Sequence, residues 1–267
     1  RNWNEQMTGL GRLPIVKTVR DRIPDVFVPE ETLTRRAYLA LRDGLIHGKL
    51  MPGRRLSLRP LAADLGFSPT PVREALLCLV GEEALVSDWK GSVLVPFADT
   101  AMCSEIHTIR RDLEGRAAEQ AARHTTAGDL DDLDDLLRMR EAAKLAGNVV
   151  AERAATASLR RAFCEISGLP LITRILEVLW MRLGPMAALV EGRAPSIGHA
   201  GNRRGACDDA MNALVQALRD GDRAAARDAA HRDVDWSMQA IMPRAAHSSP
   251  RALPKERPPV QCQPPPP

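Results

Sequence analysis

The spacing of apolar residues divides the chain into two patterned blocks. Residues 31–97 hold three short stretches with a helical pattern and, over 84–96, two strand-like runs around a Lys-Gly pair. Residues 98–243 are helical in pattern almost throughout. There "DLDDLDDLLRMREAAKLAG" spaces its leucines near 3.6 residues apart, and Gly221-Asp222 marks a helix stop followed by an N-cap. The pattern predicts a mainly α protein whose second block is an antiparallel bundle of about six helices.

The two ends of the chain lack such a pattern. Residues 1–30 mix charges and prolines without a period, which predicts an N-terminal extension. Residues 244–267 are polar and rich in proline, which predicts a disordered tail. No apolar run is long enough to span a bilayer and no signal-peptide core is present, so we expect a cytoplasmic protein that does not enter a membrane. The five cysteines form no CxxC pair and are expected to be free thiols.

Charge is nearly balanced over the whole chain but not locally. Lysine and arginine exceed aspartate and glutamate by 37 − 34 = 3, which excludes a histone-like basic protein. Within residues 32–80, eight lysines and arginines stand against three acidic residues, a local net charge of +5. A basic surface of this kind suits contacts with DNA phosphates, which supply most of the non-specific affinity of DNA-binding proteins.

The N-terminal block predicts a helix-turn-helix followed by a β-hairpin wing. A short helix, "LRPLAADLGFS", stops at Gly66, and Thr70 begins the next helix after a three-residue connection. Around that start, "SPTPVREALLCL" (68–79) places two prolines in or before the first turn, where a missing N–H costs little. The prolines therefore stiffen an exposed helix start. Residues 84–96 would fold back at Lys90-Gly91 as the wing.

This block closely resembles the winged helix-turn-helix of GntR-type bacterial regulators. The matching segments are "IHGKLMPGRRL", "LAADLGFS", "TPVREAL" and the Lys-Gly wing, and one departure is Ala84, where the family usually has glycine. Hydroxyl groups at a helix start suit phosphate oxygens, and an arginine on the outer face of that helix can fork onto a guanine edge. The resemblance implies DNA contacts by Arg59, Ser68, Thr70, Arg73, Lys90 and Gly91. Taken alone, Arg73 and Glu74 also fit a solvated surface pair.

The second block resembles the FCD-type effector domain of GntR regulators. "SEIHTIRRDLEGRAAEQAARH" is similar to the first helix of that domain, and "RAFCEISGLPLI" and "LVQALRDGDRAAARDAA" match later segments. Arg110 and Glu114 correspond to its recurrent arginine and glutamate. Their spacing of four residues also fits an ordinary pair on a helix surface. The implied architecture is a winged helix-turn-helix followed by an all-α, FCD-like bundle.

The metal site of the family is not preserved in this sequence. Most FCD domains hold a divalent metal through an aspartate, a histidine four residues later and two further histidines. Those positions fall on Arg160, Cys164, Met211 and Asp233. One interpretation is a site that holds no metal or other cofactor. In it, Arg110 and Arg160 would neutralise the charge of an acidic effector that binds among Cys164, Met211 and Asp233. A second is an altered soft-metal site formed by Cys164, His231 and Asp233. A third is that Cys164 is a buried apolar residue.

These patterns predict a transcriptional repressor without enzymatic activity. A homodimer would read a near-palindromic operator in double-stranded DNA, and a small organic acid bound in the helical domain would alter operator affinity. The alternatives are a constitutive DNA-binding protein with a decayed effector site and an α-helical enzyme domain fused to a DNA-binding module. The sequence contains no nucleophile elbow, phosphate loop or paired catalytic carboxylates, which argues against the enzyme. A buried cavity containing Arg110 and Arg160 would favour effector binding, and a packed interior would oppose it.

Overall fold

A computed structural model describes residues 32–88, 91–191 and 200–247 of the chain. The predicted N-terminal extension (1–30) lies outside the described residues. So does the predicted tail, except for residues 244–247, which form the end of the last helix. That helix continues past the boundary at residue 243 that the sequence pattern predicts for the bundle.

The N-terminal domain has three helices and three short strands within the described residues. Thr32 caps the first helix by accepting a hydrogen bond from the Arg35 amide, and Gly66, at a φ of +73°, ends the second helix. The predicted helix-turn-helix is therefore present. The elements are α1 (Leu33–Ile46), β1 (Arg55–Leu56), α2 (Leu58–Leu65), α3 (Pro69–Gly81), β2 (Val86–Ser87) and β3 (Val93–Leu94).

The strands form an antiparallel sheet in the order β1-β3-β2. Leu94 lies opposite Arg55 on one side and Val86 on the other, and the two outer strands flank the central β3. The sequence pattern predicts β2 and β3 but not β1. The strands β2 and β3 are marked by a hairpin turn between them, whereas β1 pairs with β3 from a distant part of the sequence and no such turn marks it.

The second domain contains six helices within the described residues, as the sequence pattern predicts. A capping box between Thr126 and Asp129 starts α5, and the Asp222 carboxylate starts α9 by accepting from the Ala225 amide. The strongest pairings are α4 with α9, α8 with α9, and α5 with α6. The helices are α4 (Thr100–His124), α5 (Ala127–Leu145), α6 (Val149–Ile166), α7 (Pro170–Glu191), α8 (Ala200–Asp220) and α9 (Arg223–His247).

Helix α7 belongs to the cores of both domains. Leu176 and Trp180 are buried in the aliphatic core of the bundle, whereas Met181 is buried in the core of the N-terminal domain. The same helix packs along α1. Its apolar surface is thus shared between two domains. Each helix in the described part of the chain is too short or too polar to cross a membrane.

Candidate functional site

The first turn of α3 is stiffened by its prolines and is exposed at Pro69 and Thr70, whereas Pro71 is buried against the domain. Ser68 is the N-cap residue and Pro69 the first helical residue, so the helix starts one residue before the predicted Thr70 and both prolines lie in its first turn. Ser68 and Thr70 are both exposed, and the Ser68 side chain makes no capping hydrogen bond. Of the residues 69–71, Thr70 alone carries an amide hydrogen. The donors offered by this turn are therefore mainly the two hydroxyl groups and one amide.

Arg73 is exposed one turn further along α3 and has no hydrogen-bond or ion-pair partner among the residues that the structure describes. Its neighbour Glu74 accepts a hydrogen bond of 2.6 Å from the Thr34 hydroxyl of α1. The carboxylate is thus held back against the domain, and the two neighbours do not form the surface pair that the sequence alone allowed. Arg59, on α2, which packs against α3, is also exposed and carries no partner in the described chain. Both guanidinium groups are available to an external anion.

The wing is held by a residue that the sequence reasoning missed. The buried Asp88 carboxylate accepts from the Ser92 amide at 2.8 Å and lies 3.3 Å from the Arg55 guanidinium of β1. The Gly91 amide donates to the Asp88 carbonyl at 2.9 Å, and Gly91 has a φ of +79°. Aspartate followed three residues later by glycine is a turn signature that could have identified this role. Gly91 is exposed at the turn, and Lys90 lies outside the described residues.

The second candidate site lies inside the bundle, beginning with Arg110 and Glu114 on α4. These side chains are only 3% and 1% exposed, so the pair is buried rather than on a helix surface. The Arg110 Nε donates to the Glu114 carboxylate at 2.7 Å, and the Trp180 indole donates to the same oxygen at 2.8 Å. Arg110 Nη1 donates to the Ser237 hydroxyl at 3.3 Å, while the buried Nη2 has no hydrogen-bond partner. One donor of the Arg110 guanidinium is therefore available within the bundle.

Arg160 and Asp233 form a second, partly buried ion pair, between α6 and α9. The guanidinium Nε and Nη2 donate to the two carboxylate oxygens at 2.7 and 3.1 Å. Asp233 is fully buried, and the Arg160 side chain is 17% exposed. Such a bidentate pair combines strong attraction with fixed geometry. Arg160 therefore already faces a carboxylate of this chain.

Cys164 lies among these charges. Burial is the main cause that raises the pKa of its thiol, the Glu114 and Glu165 carboxylates raise this pKa further, and Arg110 and Arg160 act in the opposite direction. The thiol is therefore protonated at neutral pH. Met211 is buried in the same core. The structure thus brings the predicted effector residues Arg110, Arg160, Cys164, Met211 and Asp233 to the middle of the bundle.

The alternative metal site is not formed. Among the described residues, no group of three or more histidine, cysteine and acidic side chains is placed to hold a metal ion. The His231 ring packs on the backbone of α4 at Gly115, where an added Cβ would lie 2.3 Å from the ring. Burial and nearby arginines lower the pKa of His231. This histidine borders an open surface groove of ≈ 430 Å³ whose lining includes neither Arg110 nor Arg160.

The two domains are joined by a close contact that the sequence reasoning also missed. A Cβ at Gly184 of α7 would lie 2.3 Å from the Leu45 carbonyl oxygen of α1. Gly48, at a φ of +65°, would place a Cβ 2.7 Å from the Ala188 Cβ. Glycine at both positions lets the backbones of α1 and α7 approach, one turn away from Met181 in the core of the N-terminal domain.

A set of charges surrounds this contact. Glu177 of α7 accepts from Arg42 of α1 at 3.1 Å and lies 3.4 Å from Arg161 of α6. Asp43 lies 3.3 Å from Arg42 and 3.5 Å from Arg161. Burial lowers the pKa of the adjacent His47 to about 4, which keeps this imidazole neutral at pH 7. These ion pairs connect three helices from two domains.

The fold and the exposed helix start define a transcription regulator with a winged helix-turn-helix and a helical second domain. Residues 33–95 match the gntR family of bacterial regulatory proteins, and residues 105–235 match the FCD domain. The chain belongs to the GntR family and carries an FCD domain.

The relatives that this chain matches are regulators. The chain is 36% identical over 154 residues to the HTH-type transcriptional regulator McbR of Escherichia coli, a match that covers 58% of this chain and 70% of McbR. Its fold matches the structure of E. coli McbR/YncC with a TM-score of 0.70 and 30% identity over 81% of this chain and 98% of that one. A match of 29% identity over 120 residues, 43% of this chain and 49% of the relative, is to the gluconate operon transcriptional repressor of Bacillus licheniformis. These relatives are regulators and not enzymes, and the chain is a DNA-binding regulator of this family.

Proposed function

We propose that this regulator is a cytoplasmic repressor that binds operator DNA as a homodimer and releases it when a small molecule enters the helical domain. Each protomer would place the first turn of α3 and its wing against one half-site of the operator. The proposed DNA contacts are Arg59, Ser68, Thr70, Arg73, Lys90 and Gly91.

The exposed surface of α3 is the observation that carries this proposal. Ser68 has a hydroxyl that is not used in capping, and Arg73 has no partner within the described residues. Hydroxyl groups at a helix start bind phosphates and fix the position of the helix, whereas an arginine fork reads guanine. A repressor role is supported by the similarity to the gluconate operon transcriptional repressor of Bacillus licheniformis.

Effector binding is proposed for the interior of the bundle, at Arg110. Its buried Nη2 has no acceptor, and a carboxylate or another hydrogen-bond acceptor would satisfy it. Arg160 is a weaker candidate for direct recognition because Asp233 already accepts from it. An acid that approached Arg160 would have to compete with a buried carboxylate.

Helix α7 provides a route from this site to the DNA-binding domain. Trp180 donates to Glu114 beside Arg110, and the next residue, Met181, is buried in the other domain. A ligand that moves Glu114 would therefore act on a helix that belongs to both cores. Regulation requires that the ligand favour one of the two arrangements of the heads.

The DNA proposal is tested by the Arg73→Ala variant. An operator is first selected from random DNA duplexes with the wild-type protein, and binding is then measured by gel shift. Losing one guanine contact is expected to cost about 1–3 kcal/mol, or roughly fivefold to more than a hundredfold in affinity, with unchanged melting temperature. The control is Arg138→Ala, an exposed arginine on α5 that pairs with Asp135. Operator binding by Arg73→Ala equal to that of wild type would contradict the assignment.

The second candidate is a constitutive DNA-binding protein. It is favoured by the internal partners of the predicted effector residues, since Arg160 pairs with Asp233 and both Cys164 and Met211 lie in the core. Mass spectrometry of small molecules released from purified protein separates the two functions. A released compound that weakens operator binding on re-addition supports effector control, whereas a ligand-free protein that is insensitive to extracted metabolites supports constitutive binding.

A further inference from the structure

The positions at which FCD domains hold a metal do not fit a metal ion in this protein. Arg160 is a cation and Met211 is a buried thioether. The Cys164 thiol is fully buried in the apolar core of the bundle, where it packs as a small apolar side chain. Asp233 is the one anionic group of the four, and both of its oxygens accept hydrogen bonds from Arg160. The cation at these positions is therefore the guanidinium of Arg160, a side chain of the protein itself.

The ion pair joins two of the three helices that a metal at these positions would join, α6 and α9 but not α8. Arg160 lies on α6 and Asp233 on α9, 73 residues apart in the chain. The guanidinium is always charged, and its planar fork matches the two oxygens of a carboxylate. Because this cation is covalently part of α6, its presence does not depend on the concentration of any metal in the cell.

We propose that the Arg160–Asp233 ion pair replaces the divalent metal of the effector domain, so that this regulator folds and binds DNA independently of metal supply. The part of this proposal that concerns operator binding rests on the proposed function, whereas the part that concerns folding does not. The pair links α6 to α9 through two hydrogen bonds, and it neutralises a carboxylate that is otherwise costly to bury.

The first test uses the full-length wild-type protein. Its metal content is measured by elemental analysis, and its melting temperature is followed with EDTA and with added Zn²⁺, Ni²⁺ or Mn²⁺. We expect well under one metal ion per chain and no shift of the melting temperature with EDTA or with the metals. A stoichiometric metal whose removal lowers the melting temperature would overturn the proposal.

The second test breaks the pair from each side. Arg160→Met leaves the buried Asp233 carboxylate without this partner, and Asp233→Leu leaves the partly buried Arg160 guanidinium without it; each is expected to lower the melting temperature by about 10 °C or more. The Arg160→Met/Asp233→Leu double variant is expected to lose less than the sum of the two single losses. Additive losses in the double variant, or single variants as stable as wild type, would overturn the proposal.

An exposed ion pair of the same chemistry serves as the matched control. Arg219 of α8 donates to Asp134 of α5 at 2.8 and 2.9 Å, also between two helices, but both side chains are more than a third exposed. Arg219→Met is expected to change the melting temperature little.

Gel shifts in EDTA separate the two proposals. A stable, metal-free protein that binds no DNA would contradict the proposed repressor function but not the proposed role of the ion pair in folding.

Discussion

The two domains of this regulator treat charged and polar side chains in opposite ways. The DNA-binding domain exposes Arg59, Ser68, Thr70 and Arg73 and leaves the two arginines without partners in the described chain. The helical domain instead buries Arg110, Glu114 and Asp233 and satisfies most of their polar atoms internally. Exposed, unpaired groups stay hydrated, so they cost the folded state little free energy, and they can bind an external partner. Buried charges are costly to desolvate, so changing one member of a pair affects the fold itself.

The largest effect that follows from this difference is expected for Glu114→Ala. Removing this carboxylate leaves the buried Arg110 guanidinium and the Trp180 indole without their shared acceptor, so the free energy of unfolding should fall by about 3–5 kcal/mol. Urea denaturation followed by circular dichroism measures this loss. Glu119→Ala, on the same helix, is the control because that glutamate pairs with Arg223 at the surface, and its stability should stay near that of wild type. Equal stabilities of the two variants would contradict the contrast between buried and exposed charge.

Sequence predicts the DNA-binding domain well because its signals are local. Gly66 stops α2 and Ser68-Pro69 starts α3 within three residues, and both signals depend only on backbone conformation and neighbouring residues. The strand β1 was not predicted because its partner β3 is distant in sequence, with Arg55 opposite Leu94, whereas β2 and β3 pair within one local hairpin. Asp88 was not predicted either, although its spacing to Gly91 is a turn signature.

The interior of the helical domain is harder to predict because its partners are distant in sequence. An arginine and a glutamate four residues apart look the same on a surface and in a core, and only the packing of α7 and α9 places Arg110 and Glu114 inside. The pairing of Arg160 with Asp233 joins residues 73 positions apart. Gly184 likewise shows no local reason for its identity, because its neighbour is the backbone of α1.

The contact between the domains is expected to be sensitive to one added methyl group. Gly184→Ala would place a Cβ 2.3 Å from the Leu45 carbonyl oxygen, and relief of this clash requires α1 and α7 to separate. We expect a loss of about 1–3 kcal/mol in urea unfolding. Gly128→Ala in the first turn of α5 is the control, since the nearest atom to its added Cβ is 3.9 Å away. A Gly184→Ala variant as stable as the control would mean that the two domains do not depend on this contact.

The charges at this contact predict a dependence of stability on pH. Burial lowers the pKa of His47 from its ordinary 6.5 to about 4, so the unfolded chain takes up a proton between these pH values and the folded chain does not. The contribution of His47 is complete above pH 6.5 and is lost as the pH falls toward 4. The groups that face the imidazole are Asp43, Lys49, Arg153 and Arg161.

Replacing this histidine should flatten that part of the stability profile. In His47→Gln, the decrease in unfolding free energy between pH 6.5 and 4 should become smaller by about 1–3 kcal/mol, as measured by urea titrations at several pH values. His124→Gln, which removes a histidine outside the domain contact, should keep the wild-type slope. An unchanged slope in His47→Gln would show that this imidazole does not remain neutral in the folded protein.

The smallest effects concern two hydroxyl groups at helix starts, one in each domain. Thr126 caps α5 in a capping box, and Thr126→Ala should lower stability by about 1 kcal/mol without changing DNA affinity. Ser68 makes no capping bond, so Ser68→Ala should leave stability unchanged and weaken operator binding several-fold through a lost phosphate contact. For both variants, fluorescence anisotropy with selected operator DNA measures the DNA affinity, and thermal unfolding measures the stability. If Ser68→Ala lost stability while its DNA affinity stayed at the wild-type value, its hydroxyl would serve the helix rather than DNA, and the division of roles between the two domains would fail at this residue.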